Sequence, residues 1–167
     1  MGVPLRAHAH GRVETANQRM VYRVVLASTF ILALPACGLV SRDEVARVSS
    51  PDGRIEAILI ETNGGATVSF GYEIWLREKD RGSGELVARL YGAGRNESAY
   101  GANLRWTDDR QLSVEYLEAR QETLEKPRVT VGGREIHVAL KSHVTDPTAP
   151  AGGMLFNLER DRGKRGK

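Results

Sequence analysis

The sequence predicts an all-β domain, a small antiparallel β-sandwich or open barrel of six to eight short strands, standing behind a cleaved signal peptide. Three observations lead there. Short runs of Val, Ile, Leu and Tyr alternate with polar residues, and no stretch sustains a long helical period. Clusters of Gly, Pro, Asn and Asp cut those runs apart at short intervals. Upstream of them all, an apolar run of 11 residues, 24–34, closes on the lone cysteine of the chain, Cys37.

From the N-terminus, residues 1–19 hold His8 and His10 but no apolar pattern, and they read as an over-extended start. Met20 opens a normal signal, with Arg19 and Arg23 as its basic end and residues 20–36 as its extent. A run of eleven residues falls short of the ~20 that a helix needs to cross a bilayer, so the segment reads as cleavable. Leu34-Pro35-Ala36-Cys37 resembles the bacterial lipobox, in which the cysteine thiol is acylated before cleavage. Pro35 stands where a small residue is usual. A single cysteine cannot form an internal disulfide, and a free thiol is unusual in an oxidising compartment; acylation accounts for its isolation. The resemblance implies a membrane partner through lipid on Cys37. Gly38 follows where an aspartate retains proteobacterial lipoproteins in the inner membrane, so the outer membrane, facing the periplasm, is the expected site in a host that has one.

Cleavage leaves 131 residues, enough for one domain. It also removes four basic side chains and one acidic one, so the mature chain carries twenty of each. The basicity of the whole chain thus belongs mainly to the signal, and nucleic acid is not an expected partner. Residues 37–49 are polar with scattered Val and are expected to form a lipid-anchored tether, followed by the all-β domain over 50–159 and a basic, disordered tail over 160–167.

Within the domain, Ser50-Pro51-Asp52-Gly53 is a turn signal. It precedes a strand over 54–61, a glycine-bearing loop over 63–69, and a strand over 70–78 with Tyr72, Ile74 and Leu76 on one face. Residues 85–91 make a further strand, and 92–101 a loop with three glycines. Residues 104–106 and 111–116 pair across Asp108-Asp109, with Leu112, Val114 and Tyr116 inward. Residues 117–126 are expected to be irregular. Strands over 128–131 and 134–141 flank Gly132-Gly133, and a last short strand is expected over 154–158. Ser50-Pro51-Asp52-Gly53 and Trp106-Thr107-Asp108-Asp109, 57 residues apart, resemble turns that open β-propeller blades, but the mature chain is too short for four blades of ~40 residues.

Ser50-Pro51-Asp52-Gly53 followed by Gly64-Gly65-Ala66-Thr67-Val68-Ser69-Phe70 is similar to a family of small exported or membrane-tethered bacterial proteins, over roughly residues 49–118. Val68 stands where that family carries a second threonine. The resemblance implies an envelope setting and supplies no activity, the family being uncharacterised.

For a site, Gly64, Gly65, Thr67 and Ser69 form the candidate ligand-binding loop, with backbone N–H groups and hydroxyls for an anion or a glycan. A hairpin connection is the simpler reading, since no lysine or following helix completes a phosphate loop. His137 and His143 are the histidines that remain after cleavage; on one strand they would stand ~20 Å apart, too far to share a metal. No serine sits in a nucleophile elbow. Asp108 and Asp109 fit a turn better than an acid–base pair. Tyr72, Trp75, Tyr91, Tyr100 and Trp106 could pack the core or line an aromatic groove for sugar or peptide. The expectation is a lipid-anchored envelope protein acting as a non-catalytic binding or structural module, with no cofactor and no metal. A polymer- or glycan-directed envelope hydrolase and an immunity-type lipoprotein that binds a toxin are the alternatives.

Overall fold

Hydrophobic alternation builds most of this domain, and where a strand has both faces covered the alternation disappears. The computed structural model describes Gly2 and residues 40–165; the signal segment, Cys37 and the last two residues of the basic tail lie outside the described residues. Among the described residues nine strands and a helix follow one another: β1 (Ser41–Ser49), β2 (Ile55–Asn63), β3 (Gly71–Glu78), β4 (Gly84–Tyr91), β5 (Asn103–Asp108), β6 (Gln111–Glu115), β7 (Gln121–Leu124), β8 (Arg128–Val131), β9 (Arg134–Lys141) and α1 (Met154–Arg165).

The strands form two sheets, one ordered β1-β2-β3-β4-β7 and the other β5-β6-β9-β8. The all-β sandwich is therefore as expected, with nine strands in place of six to eight. Pairing is antiparallel except for β6 and β9, which run parallel with Leu112 opposite Val138 and Val114 opposite Leu140. Inward residues Ile55, Ala57 and Leu59 of β2, Tyr72, Ile74 and Leu76 of β3, Leu112 and Val114 of β6, and Ile136 of β9 make one core. β2 is covered on its outer side too. Ile58 lies between Arg47 and Trp75 across the sheet, and the buried Glu56 Oε2 accepts from Arg47 Nη1 and Arg77 Nε, both at 2.8 Å. The Trp106 indole N–H donates to Val48 O at 3.0 Å and fastens the two sheets together at β1 and β5.

Three expectations need correction. Residues 41–49 are not a tether: they form β1, paired with residues 56–63 of β2 with a register shift between Glu44 and Ala46. As an edge strand, β1 keeps polar side chains outward, which is why it reads as linker. The expected irregular stretch 117–126 contains β7, whose four exposed residues pair with the edge of β4. Residues 154–158 open α1 in place of a strand, and the helix continues through Arg165, so that much of the basic tail is helical. Asn157 and the partly buried Met154 and Leu155 hold its first turns to the domain.

Candidate functional site

β1 starts, β2 ends, β3 starts and β4 ends at one end of the sandwich, and four connections meet there: residues 64–70, 92–102, 116–120 and 142–153. Backbone hydrogen bonds stitch them together. Gly94 N donates to Glu118 O and Leu117 N to Gly94 O, at 2.9 and 2.7 Å; Tyr100 N donates to Gly152 O and Gly152 N to Ser98 O, at 3.0 and 2.8 Å. Asn96 is the pivot. Its Oδ1 accepts from Ser98 N and Ala99 N, and its Nδ2 donates to Asp146 O and Ala149 O, all between 2.8 and 3.0 Å. Gly92 turns with φ +61°, at a place where a Cβ would meet Arg120 Cδ at 2.9 Å.

Between these loops lies an open cleft of about 360 Å³ with mainly polar walls, including Ser69, Asn96, Glu97, Tyr100, Glu118 and Arg120. The Tyr100 ring is exposed at its lip and tilts against Phe70, with centroids 5.5 Å apart. An amphipathic ring beside carboxylates, a guanidinium and amides suits a hydroxyl-rich or peptide ligand better than an apolar one.

Behind the loops is a buried charge cluster. Glu61 is 2% exposed, and its Oε2 accepts from Tyr72 Oη at 2.9 Å and from Met154 N, at the start of α1, at 3.0 Å. Burial, followed by the adjacent Glu61 carboxylate, pushes the Tyr72 phenol well above its ordinary value. Arg95, also buried, donates from Nε to Tyr100 O at 3.1 Å. Its pKa is lowered by burial, against the opposing pull of Asp146, Tyr72 and Glu61. Asp146 is held below the usual carboxylate range by hydrogen bonds from Thr148 and Asn103. The cluster positions Tyr100 and the first turn of α1, and its Glu61, Tyr72 and Arg95 members stay out of solvent.

Of the candidate loop, Ser69 reaches the cleft, whereas Gly64, Gly65 and Thr67 stand on the exposed side of the hairpin. Three of the loop's N–H groups are engaged by the protein itself. Gly65 N donates to Asn63 Oδ1 at 2.8 Å, Val68 N to Gly65 O at 3.3 Å, and Ser69 N to Tyr91 Oη at 3.1 Å. The loop is thus a hairpin connection, with Gly65 at φ +106°. Ser69 and His137 line separate clefts. His137 Nε2 lies 3.2 Å from Glu135 Oε1, and His143 Nδ1 is 3.1 Å from Ser142 Oγ. Of the five aromatic residues considered for a groove, Tyr72 is core, Trp106 clamps β1, Trp75 donates to Glu73 Oε2 and Tyr91 accepts from Ser69 N. Tyr100 alone offers an exposed ring to the cleft. Glu61 and Arg95 were missed by sequence reasoning, although Glu61 continues the inward series Ile55, Ala57, Leu59.

The opposite end is closed by the two turns that look like blade turns, and they touch. Asp52 N donates to Asp109 Oδ1 at 2.8 Å, and Arg134 joins them through Nη2 to Asp52 Oδ2 at 2.7 Å and Nη1 to Asp109 O at 3.2 Å. Asp108 Oδ1 accepts from Arg110 N at 2.7 Å, so both aspartates serve turns. Hydrogen bonds from Arg134, then Ser50, hold the Asp52 carboxyl well below its ordinary range.

Among the described residues no group of three or more His, Cys, Asp and Glu is placed to hold a metal ion, and no helix is long and apolar enough to cross a membrane. Comparisons with models of protein families, with curated proteins and with solved structures found no match.

Proposed function

We propose that this chain is a lipoprotein of the bacterial envelope, acylated on Cys37, whose β-domain is a non-catalytic binding or structural module that works through its loop end. The carrying observation is Leu34-Pro35-Ala36-Cys37 at the close of an 11-residue apolar run, with no other cysteine in the chain. The stitched loops and the polar cleft beneath Tyr100 support a recognition surface held rigid before binding, which reduces the entropic cost of taking a ligand. Carboxylates, Arg120 and an exposed ring fit an envelope glycan or peptide. In a host with two membranes, Gly38 after Cys37 favours the outer one.

Intact mass and membrane fractionation of wild type and Cys37→Ser, expressed as full-length chains, test the anchor. A detergent-soluble species cut before Cys37, bearing acyl mass and lost in the variant, is the expected outcome; an uncut cytoplasmic product sinks it. Soluble peptidoglycan fragments titrated onto the purified acylated protein test the cleft. Binding should weaken in both Tyr100→Ala and Arg120→Ala, and binding indifferent to both would move the site elsewhere.

A further inference from the structure

The loop end also carries a surface that the core does not explain. Among the described residues five large apolar side chains are exposed, and four of them, Val40, Val68, Tyr100 and Phe156, belong to this end. Phe156 is the most exposed, at 61%. It is also continuous with Tyr100: a Cβ on Gly152 would lie 3.6 Å from the Phe156 ring, Gly152 O accepts from Tyr100 N, and one on Gly153 would lie 3.4 Å from Phe70, which packs on Tyr100. On α1, residues Phe156, Arg160 and Lys164 recur every four positions and share one exposed face. The Arg160 guanidinium sits 5.9 Å from the Phe156 ring centroid. The charge here is also unlike that of the rest: residues 38–153 hold fifteen basic and eighteen acidic side chains, whereas Met154–Arg165 holds four basic and two acidic. One exposed aromatic ring, Phe156, thus stands next to a basic helix end, and exposed apolar side chains combined with Lys and Arg are what holds a helix at an anionic bilayer surface.

Where the chain enters fits the same occupant. With β1 beginning at Ser41, Cys37 precedes the first paired residue by four positions, a reach of at most roughly 14 Å. Ser41 pairs with Asn63, at the mouth of the loop that bears Val68.

We propose that the exposed Tyr100–Phe156 patch and the Arg160–Lys164 face of α1 form a seat for anionic phospholipid, holding the loop end of the domain against the bilayer. The seat rests on the lipoprotein reading for its nearness to the membrane. Acyl chains on Cys37 limit the distance of the domain; the seat sets which way it faces, and it brings the cleft to headgroup level.

The test uses the full-length gene product purified from membranes, its acyl state fixed by intact mass. It is reconstituted into vesicles of brominated phosphatidylcholine, alone or with an equal part of brominated phosphatidylglycerol. Phe156→Trp, and independently Tyr100→Trp, should shift to the blue and be quenched in the anionic vesicles, while Leu124→Trp, on the edge strand β7, should not. Adding Arg160→Gln and Lys164→Gln should lower the seated-to-free ratio about fivefold per charge removed. Acylated protein with neither indole quenched overturns the seat and leaves the anchor standing. Protein without acyl mass overturns the anchor, and flotation then decides the seat. Flotation on phosphatidylglycerol vesicles that is lost in Phe156→Ser/Arg160→Gln keeps it; flotation unchanged by those substitutions, or none, overturns it.

Discussion

Glu61→Ala removes a carboxylate whose Oε2 accepts hydrogen bonds from two elements at once, Tyr72 Oη at 2.9 Å and Met154 N at 3.0 Å. Each bond to a charged acceptor contributes about 1.5–3 kcal/mol, and a buried donor left without a partner costs about 1–3 kcal/mol. Tyr72 is 1% exposed, so water cannot readily replace the lost acceptor. Against this, deleting Glu61 recovers the several kcal/mol spent in desolvating its charge. The net expected loss is about 2–4 kcal/mol, which lowers the melting temperature by roughly 8–16 °C in a domain of this size. Tyr72→Phe removes only the phenol and should cost about 1 kcal/mol. Because the two groups touch, the double variant should be less destabilised than the sum by about 1 kcal/mol. Urea unfolding of wild type, both single variants and the double variant measures all four corners, and exchange of the Met154 amide reports whether the start of α1 has come loose. A Glu61→Ala loss below about 0.5 kcal/mol, with the Met154 amide still protected, would refute the claim that this carboxylate ties the hairpin to the helix.

At the opposite end, the depressed pKa of Asp52 contributes stability at neutral pH, above the ordinary aspartate value of about 3.9. That contribution is lost as pH falls below about 5 and the unfolded chain takes up the proton first. Asp52→Asn should therefore flatten the acid limb of a urea-midpoint curve, and an unchanged limb would exclude the contact with Arg134 as its source. Gly101→Ala should destabilise by about 2–4 kcal/mol, because φ is +119° and the new Cβ would run into Met154 Sδ and Cγ; calorimetry checks it. Trp106→Phe keeps most of the packing but strips the N–H that Val48 O accepts, so a loss of about 1 kcal/mol with faster exchange at β1 is expected.

Strands whose two faces differ were legible in the sequence. Tyr72, Ile74 and Leu76, or Leu112 and Val114, announce their inward side by parity, and Gly132-Gly133 marks its own turn with φ +56° and +75°. β1 was hidden because its phase resets at Glu44/Ala46 and its outward side chains are charged. α1 was hidden because its first residues, Met154, Leu155 and Phe156, fit a strand equally well, and a tertiary contact, the Glu61 carboxylate at Met154 N, helps to set the helical start. Ser69 was identified in the sequence; its cleft neighbours Asn96, Glu118 and Arg120 come from two other loops and carry no shared local motif. The Asp52 and Asp109 turns were noticed as similar, but similarity could not reveal that one hydrogen-bonds the other.

The parallel pairing of β6 with β9 has a consequence for how such a chain is made. Translation runs from the N-terminus, so residues 111–115 are made before residues 134–141. Until residues 134–141 emerge, β6 has only β5 beside it, with Leu112 and Val114 bared along an open edge. The interval before the arrival of β9 is then the period in which neighbouring nascent copies can pair wrongly. Ribosome-proximal truncations that stop short of β9 should consequently be cleared as a whole, rather than surviving as a stable half-domain.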